Sequence, residues 1–244
     1  MYGLIGEKIS HSFSADFFNK KFDKEGINEK YFLFPLSTIE DFPSLIETHP
    51  DLKGLNVTIP YKQTVIPYLD SLSDEAIEIG AVNVIKFIKN KDGRYLKGYN
   101  SDAIGFRESL LPLLKEDMDK ALVLGTGGAS KAVEYILKNL GLKVTLVSRT
   151  PGENQIGYED INEEVMNENK LIVNTTPVGM FPNIENSPSI PYNLLSTNHL
   201  CYDLVYNPLE TEFLKRAKEN GASVKNGLEM LHLQALAAWD IWND

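Results

Sequence analysis

The chain has 244 residues, 43% hydrophobic and 24% charged, an ordinary globular composition with room for one large domain or two modest ones. Its net charge of −10 argues against a nucleic-acid partner, because binding to phosphate backbones leans on clustered Lys and Arg. No apolar run reaches the roughly 18–20 residues of a membrane span, and the start MYGLIGEKIS lacks the basic flank and long apolar stretch of a secretory signal, so a cytoplasmic location is expected.

MYGLIG is a short apolar strand ending at Gly6. SFSADFFNKKFDKEG follows as a helix, with Phe13, Phe17, Phe18 and Phe22 near helical spacing and Gly26 as its stop. KYFLFPL is a second strand, TIEDFPSLIETH a second helix interrupted by Pro43, and GLNVTI a third strand. NVIKFIKN and RYLKGY flank Lys91-Asp92-Gly93, a hairpin turn that would place an antiparallel edge at the end of this series. NSDAIGFRESLLPLLKEDMD connects to a second series as a helix, with Asp102 in its first turn. That series opens with the strand Ala121–Leu124, the tight turn Gly125-Thr126-Gly127-Gly128, and a helix from Ala129 whose Ala132, Val133, Ile136, Leu137 and Leu140 share one face before Gly141. KVTLVSRT, LIVNTTP and CYDLVY are further apolar strands, and GLEMLHLQALAAWDIWND is a closing helix. Alternating strands and helices in both series predict two open α/β domains divided near residue 101.

Several patterns exclude other chemistries. His11, His49, His199 and His232 form no metal-binding pair, and there is no C-x-x-C, so no metal site is expected. No G-x-S-x-G is present, which removes a hydrolase elbow. Cys201 is the only cysteine and reads as a small buried hydrophobe.

Strand, glycine turn and helix in that order make a Rossmann-type phosphate site, where glycines admit the pyrophosphate and helix N-terminal N–H groups bind it. Gly125, Thr126, Gly127, Gly128 and Ala129 would form it, with Ser130 where the common fingerprint has glycine or alanine. The next strand ends in Ser148-Arg149-Thr150. An NAD site usually ends this strand in Asp or Glu; without a carboxylate, and with an arginine fork for a 2′-phosphate, NADP is favoured. The bland alternative is an arginine solvated at a strand end. In the first series, Asn56, Thr58 and Lys62 lie where a strand ends, the usual place for ligands in open α/β sheets.

Taken together, the chain resembles the shikimate dehydrogenase family over nearly its whole length. The resemblance is carried by GLIGEKISHSFSADFFN, GLNVTIPYKQ, GAVNVI, GYNSDAIGF, LGTGGASKA, SRT, NTTPVGM, YDLVYNP and NGLEMLHLQA. Lys8 and Ala15 stand where the family usually has prolines, so the loop carrying Ser12 and Ser14 is expected to be shaped differently. The resemblance implies NADPH-dependent, reversible reduction of 3-dehydroshikimate to shikimate, a step of chorismate and aromatic amino acid biosynthesis. It implies a substrate-binding and catalytic domain over residues 1–101, onto which the last helix (228–243) would pack back, and a Rossmann-type NADP domain over 102–227. It makes Lys62 and Asp102 the catalytic pair. Ser12 and Ser14 would hold the substrate carboxylate, while Thr58, Asn83, Tyr206 and Gln234 would contact its hydroxyls or carboxylate. Thr176, Leu204, Gly227 and Ser148–Thr150 would line the cofactor site.

The chemistry suits these types. Hydride addition to a ketone makes an alkoxide that needs a proton, and a lysine at a strand end can supply it while Asp102 orients the donor. Each residue also has a plainer reading. Lys62 could be a solvated helix-start residue, Asp102, Ser12 and Ser14 helix N-caps, and Asn83 a turn-bonding side chain. Gln234 and Tyr206 could be packed core. Two other functions stay open at this point. A quinate or related hydroxy-acid dehydrogenase would be distinguished by the Ser12–Ser14 loop, and a non-catalytic NADP-binding sensor would be expected to lack Lys62 or Asp102. The partner is a small-molecule substrate, and the protein a monomer or homodimer.

Overall fold

The computed structural model describes residues 1–9, 12–91 and 93–244. Ser10 and His11 of the first motif, and Asp92 of the hairpin turn, lie outside the described residues. The chain divides into two compact units, Met1–Ser101 with Gln234–Asp244, and Asp102–Leu233.

The first unit holds β1 (Tyr2–Gly6), α1 (Phe13–Glu25), β2 (Tyr31–Pro35), α2 (Phe42–Thr48), β3 (Gly54–Val57), β4 (Ser71–Leu72), α3 (Asp74–Ile79), β5 (Val84–Asn90) and β6 (Gly93–Tyr99). Its six strands run in the order β2-β1-β3-β5-β6-β4. β1 is parallel to β2 and β3, and β5 is antiparallel to β3 and β6. The hairpin pairs from Val84↔Tyr99 to Asn90↔Gly93, but it is not the sheet edge. The short β4 lies outside it, parallel to β6 and pinned where Leu96 N donates to the Asp70 carboxylate at 2.7 Å. Pro43 does not interrupt a helix either. A 3-10 turn over Ile39–Asp41 comes first, and Pro43 sits in the opening turn of α2, where no N–H is needed. β3 stops at Val57, short of the expected Ile59. Thr58 N still donates to Ile5 O, after which Tyr61 N closes a turn on Thr58 O around a proline that has no donor.

Strand alternation divides this unit's core. Ile5, Leu55, Val57 and Ile85 face Phe42, Leu45, Val65 and Ala76. Tyr2, Leu4, Tyr31 and Val84 pack with Phe18 and Phe22 of α1 and with Ala235, Ala238 and Trp242. The last three belong to α8 (Leu228–Asn243). Gly54 is required here because a Cβ would overlap the Trp242 indole, which lies over β3 and donates to Ile85 O at 3.1 Å.

The second unit holds α4 (Ser101–Leu110) from Asp102 on, β7 (Lys120–Leu124), α5 (Gly128–Asn139), β8 (Lys143–Val147), β9 (Gln155–Ile156), α6 (Glu163–Glu168), β10 (Leu171–Asn174), β11 (Leu200–Asp203), α7 (Glu212–Glu219) and β12 (Ser223–Lys225). Its sheet order is β12-β11-β10-β7-β8-β9, and every pairing is parallel. Chain direction across the sheet reverses between β7 and β10, which makes their carboxyl ends the switch point where such sheets bind ligands. α5 begins at Gly128, one residue earlier than expected. α7 was not among the elements expected from the sequence; it buries Phe213, Leu214 and Ala217, and Thr211 caps it by accepting from Leu214 N. Cys201 is a buried free thiol whose pKa burial pushes up to about 12. Among the described residues no helix is long and apolar enough to cross a membrane.

Trp242 joins α8 to both strands and α1, with its ring centroid 4.7 Å from Tyr2 and 5.2 Å from Phe18. Trp242→Ala is therefore expected to lower unfolding free energy by about 3–5 kcal/mol, the usual loss for a buried tryptophan, read from urea denaturation.

Candidate active site

The apolar face of the first sheet carries one polar seam. Asn56 projects from β3 to the side of Tyr31, and its side chain is buried. A buried amide must be paired, and this one is: Tyr31 OH donates to Asn56 Oδ1 at 2.8 Å, and Asn56 Nδ2 donates to Asn83 O at 3.2 Å. Asn83 O also accepts from Val57 N at 2.9 Å. The Asn83 side chain then turns to the start of α4, where Oδ1 accepts from Ser101 N at 2.7 Å and Nδ2 donates to Ser101 Oγ at 3.0 Å. Ser101 Oγ in turn donates to Gln234 Oε1 at 3.4 Å. At the other end, burial holds the Tyr31 phenol well above its ordinary pKa, a rise that the nearby Ser14 side chain opposes. Three of the sequence-expected substrate residues, Asn56, Asn83 and Gln234, thus belong to one connected network.

Ser12 occupies the N-cap position of α1, yet its side chain makes no capping hydrogen bond, so capping does not account for it. Thr58 and Lys62 are half-buried on the segment after β3. That segment is held at several points: Tyr61 OH donates to Leu36 O at 2.7 Å, and Val82 N donates to Lys62 O at 2.7 Å. Asp102, in the second unit, is buried in the first turn of α4 directly after Ser101. Tyr206 is half-buried in the same unit, and burial raises its phenol pKa.

At the switch point of the second sheet, Gly125 has φ +105°, and a Cβ there would stand 2.8 Å from Thr176 Cγ2. Only glycine suits both constraints. Gly127 is a different case. Its φ of −79° suits any residue, and a Cβ there would meet no protein atom within 4 Å. Thr126 and Gly127 are exposed, and Gly128 and Ala129 open α5 with N–H groups that have no partner inside the helix. Ser130, the departure from the fingerprint, is buried and donates its hydroxyl to Gly127 O at 2.7 Å, so it tightens the turn from within. These residues fit a dinucleotide pyrophosphate, and the glycine at 127 leaves the space one needs.

The turn after β8 is built by Ser148, whose Oγ accepts from Thr150 N at 3.2 Å. This holds Arg149 outward: it is exposed, and among the described residues no ion pair takes it up. Its charge opposes the rise that burial gives the Tyr158 phenol pKa. Thr176 bonds Asn174 Oδ1 through both its N–H (3.1 Å) and its hydroxyl (2.6 Å). Leu204 N donates to Asn174 O at 2.9 Å, and Gly227 lies flat on Leu204, where a Cβ would overlap the Leu204 carbonyl. Thr176, Leu204 and Gly227 are therefore neighbours.

Sequence reasoning missed Tyr31, Ser101, Asn174 and Asp203. Asp203 left a usable trace, a carboxylate ending the apolar strand LCYD. Tyr31 stood among phenylalanines as one more aromatic, and nothing local marks its hydroxyl.

A parallel sheet with a glycine turn at its switch point, an outward arginine on the next strand, and a separate α/β unit with a polar seam define a two-unit, dinucleotide-dependent oxidoreductase. Comparison with known proteins gives the family. The family model described as "Shikimate dehydrogenase substrate binding domain" matches residues 4–85. Shikimate dehydrogenase (NADP(+)) of Aquifex aeolicus is 41% identical over 254 residues, covering 100% of this chain and 91% of that protein. The crystal structure of shikimate 5-dehydrogenase from Thermus thermophilus in complex with NADP(H) and shikimate is 33% identical, with a TM-score of 0.85, covering 99% of this chain and 92% of that one. Quinate dehydrogenase from Corynebacterium glutamicum in complex with NAD has the same TM-score of 0.85 at 28% identity, covering 99% of this chain and 92% of that one. The chain belongs to the shikimate dehydrogenase family.

The open space at Gly127 separates a ligand role from a folding role. Gly127→Val is expected to change stability by less than about 1 kcal/mol, as for surface positions without strain. It should weaken NADPH binding by roughly ten-fold or more, measured by fluorescence titration, because the side chain fills the pyrophosphate's place.

Proposed function

We propose that this protein reduces 3-dehydroshikimate to shikimate with NADPH, reversibly, as an oxidoreductase of chorismate and aromatic amino acid biosynthesis. The observation that carries the reading is the match over the whole chain, at 41% identity, to an enzyme named shikimate dehydrogenase (NADP(+)). Quinate as the substrate is less favoured, since relatives at 36% and 41% identity are named shikimate dehydrogenase (NADP(+)), whereas the quinate dehydrogenase is 28% identical. Residues 1–101 with the last helix would bind substrate, and residues 102–227 would bind NADP. The reaction takes place in the cytoplasm, in a monomer or homodimer.

NADPH, when bound, supplies the hydride. Gly125–Ala129 hold its pyrophosphate, and Ser148, Arg149 and Thr150 hold the 2′-phosphate, with Arg149 free to turn its fork to that group. Thr176, Leu204 and Gly227 form the remaining wall. On the substrate side, the Ser12 and Ser14 hydroxyls grip the carboxylate, and Thr58, Tyr206 and Gln234 meet the rest of the ring substituents. Asn56 and Asn83 present what remains of their hydrogen-bonding capacity after the internal bonds described above. The Lys62 ammonium gives a proton to the carbonyl oxygen as that oxygen gains the bond electrons, and so favours the developing negative charge. Asp102 orients the ammonium and the substrate hydroxyl.

Steady-state reduction of 3-dehydroshikimate with NADPH tests the whole reading; an enzyme that turns over only quinate, or binds NADPH and turns over nothing, would replace it. Lys62→Ala is expected to lower kcat by roughly 10²–10⁴, the contribution of a positioned acid–base group, with NADPH affinity retained. Near-normal kcat in that variant would return Lys62 to an ordinary surface lysine. NADPH should be used much better than NADH, and Arg149→Asp should narrow or reverse the gap by about ten- to a hundred-fold in kcat/KM, the worth of one charge-assisted phosphate contact.

A further inference from the structure

We propose that Asp203 is a positioning residue for the cofactor, tying together the Thr175–Val178 and Leu204–Val205 loops on which the wall opposite the glycine turn is built. The inference rests on the NADP reading above and adds to it the residue that holds that wall in place.

Asp203 ends β11 and is fully buried, in register with Asn174 at the end of β10. Its carboxylate is an acceptor hub. Oδ1 accepts from Val205 N and from Asn174 Nδ2, both at 3.0 Å, and Oδ2 accepts from Thr211 Oγ1–H at 2.6 Å. The Asn174 amide passes the constraint on, because its oxygen accepts from both the N–H and the hydroxyl of Thr176. The Thr176 hydroxyl then accepts from Val178 N at 3.3 Å, which closes the first loop. On the other side Val205, fixed by its N–H, accepts from Gly227 N at 3.1 Å, and Gly227 lies against Leu204. Thr211, the third donor, is also the cap of α7. One side chain therefore sets the positions of Thr176, Leu204 and Gly227 together.

A carboxylate is an expensive group for this place. Burial pushes its pKa up to about 6 despite the hydrogen bonds that oppose the rise. An apolar side chain would avoid that desolvation but would strand the Val205 N–H, one Asn174 donor and the Thr211 hydroxyl without acceptors. The two loops are tied at Oδ1 alone, which accepts from Val205 N and Asn174 Nδ2, whereas Oδ2 serves only Thr211, the cap of α7. Asparagine keeps the tie, with its amide oxygen accepting both donors; its Nδ2 meets the second lone pair of the Thr211 hydroxyl, and the loss of the Thr211 O–H acceptor falls on α7.

The test compares Asp203→Ala with Asp203→Asn in the full chain. NADPH affinity is read by fluorescence titration, shikimate KM by steady-state oxidation with NADP, and folding by thermal melting. Asp203→Ala is expected to weaken NADPH binding roughly ten-fold or more, the loss of one to two buried hydrogen bonds' worth of alignment. Shikimate KM should stay within about two-fold, since uniform damage to the protein would move both. Asp203→Asn should restore NADPH affinity to within about three-fold of the unmodified protein, as expected when acceptor geometry is kept. The proposal is overturned if folded Asp203→Ala binds NADPH normally, if NADPH and shikimate parameters worsen in equal proportion, or if the asparagine variant is as weak as alanine. Should Asp203→Ala not fold, Asn174→Ser cuts the link to Thr176 while leaving Asp203 bonded to Val205 and Thr211. The same selective loss is then expected, and unchanged NADPH affinity overturns the idea. Absence of shikimate turnover in the unmodified protein would bring down the proposed function instead, and the NADPH titration would still decide the role of Asp203.

Discussion

The rule that a buried polar group must find a partner organises the first unit, and Asn83 is where it acts most strongly. Its carbonyl serves the end of β3 through Val57 N and the Asn56 side chain. Its amide serves the first residue of α4. Every one of these groups would cost about 1–3 kcal/mol if left unpaired. The strand end that leads to Thr58 and Lys62, and the Ser101 main chain that leads into α4, are therefore set by the same residue. The apolar packing of Phe18, Tyr31 and Trp242 closes around this seam and keeps water from competing for its bonds.

The second unit solves a similar problem with a charge. Parallel strands buried on both faces leave their carboxyl ends as the place where polar loops begin. Here β10 and β11 end in Asn174 and Asp203, a bonded pair, and the loops that follow take their shape from it. Across the switch point the constraint is steric: Gly125 must be small because Thr175 and Thr176 lie against it. Gly127, by contrast, has room on the protein side, so packing does not require its smallness. One short motif thus holds a glycine that the fold demands beside one that it does not.

Much of this was legible in the residues. GLNVTI announced a strand that ends near Asn56, Thr58 and Lys62, and β3 runs from Gly54 to Val57. The glycine turn between an apolar strand and an amphipathic helix announced the start of α5 to within one residue. Arg149 at the end of β8 was readable because the absence of a carboxylate is as local a fact as the presence of an arginine. What escaped was of another kind. β4 is two residues long, and only pairing with β6 makes it a strand. Pro43 reads as a helix breaker unless the preceding 3-10 turn is known, since the same ring is harmless in a first turn.

Sequence alone determined the periodicities, the special backbone positions and the family resemblance, because each depends on residues a few places apart. Tertiary structure alone decided which polar groups meet. Tyr31 reaches Asn56 across 25 positions, Asn174 reaches Asp203 across 29, and Ser101 reaches Gln234 across 133. The hydroxyl of a tyrosine or the amide of an asparagine carries no mark of its partner in its neighbours along the chain. Its partner is chosen by strand order and register, which are set by burial of the whole apolar surface and not by any local run of residues.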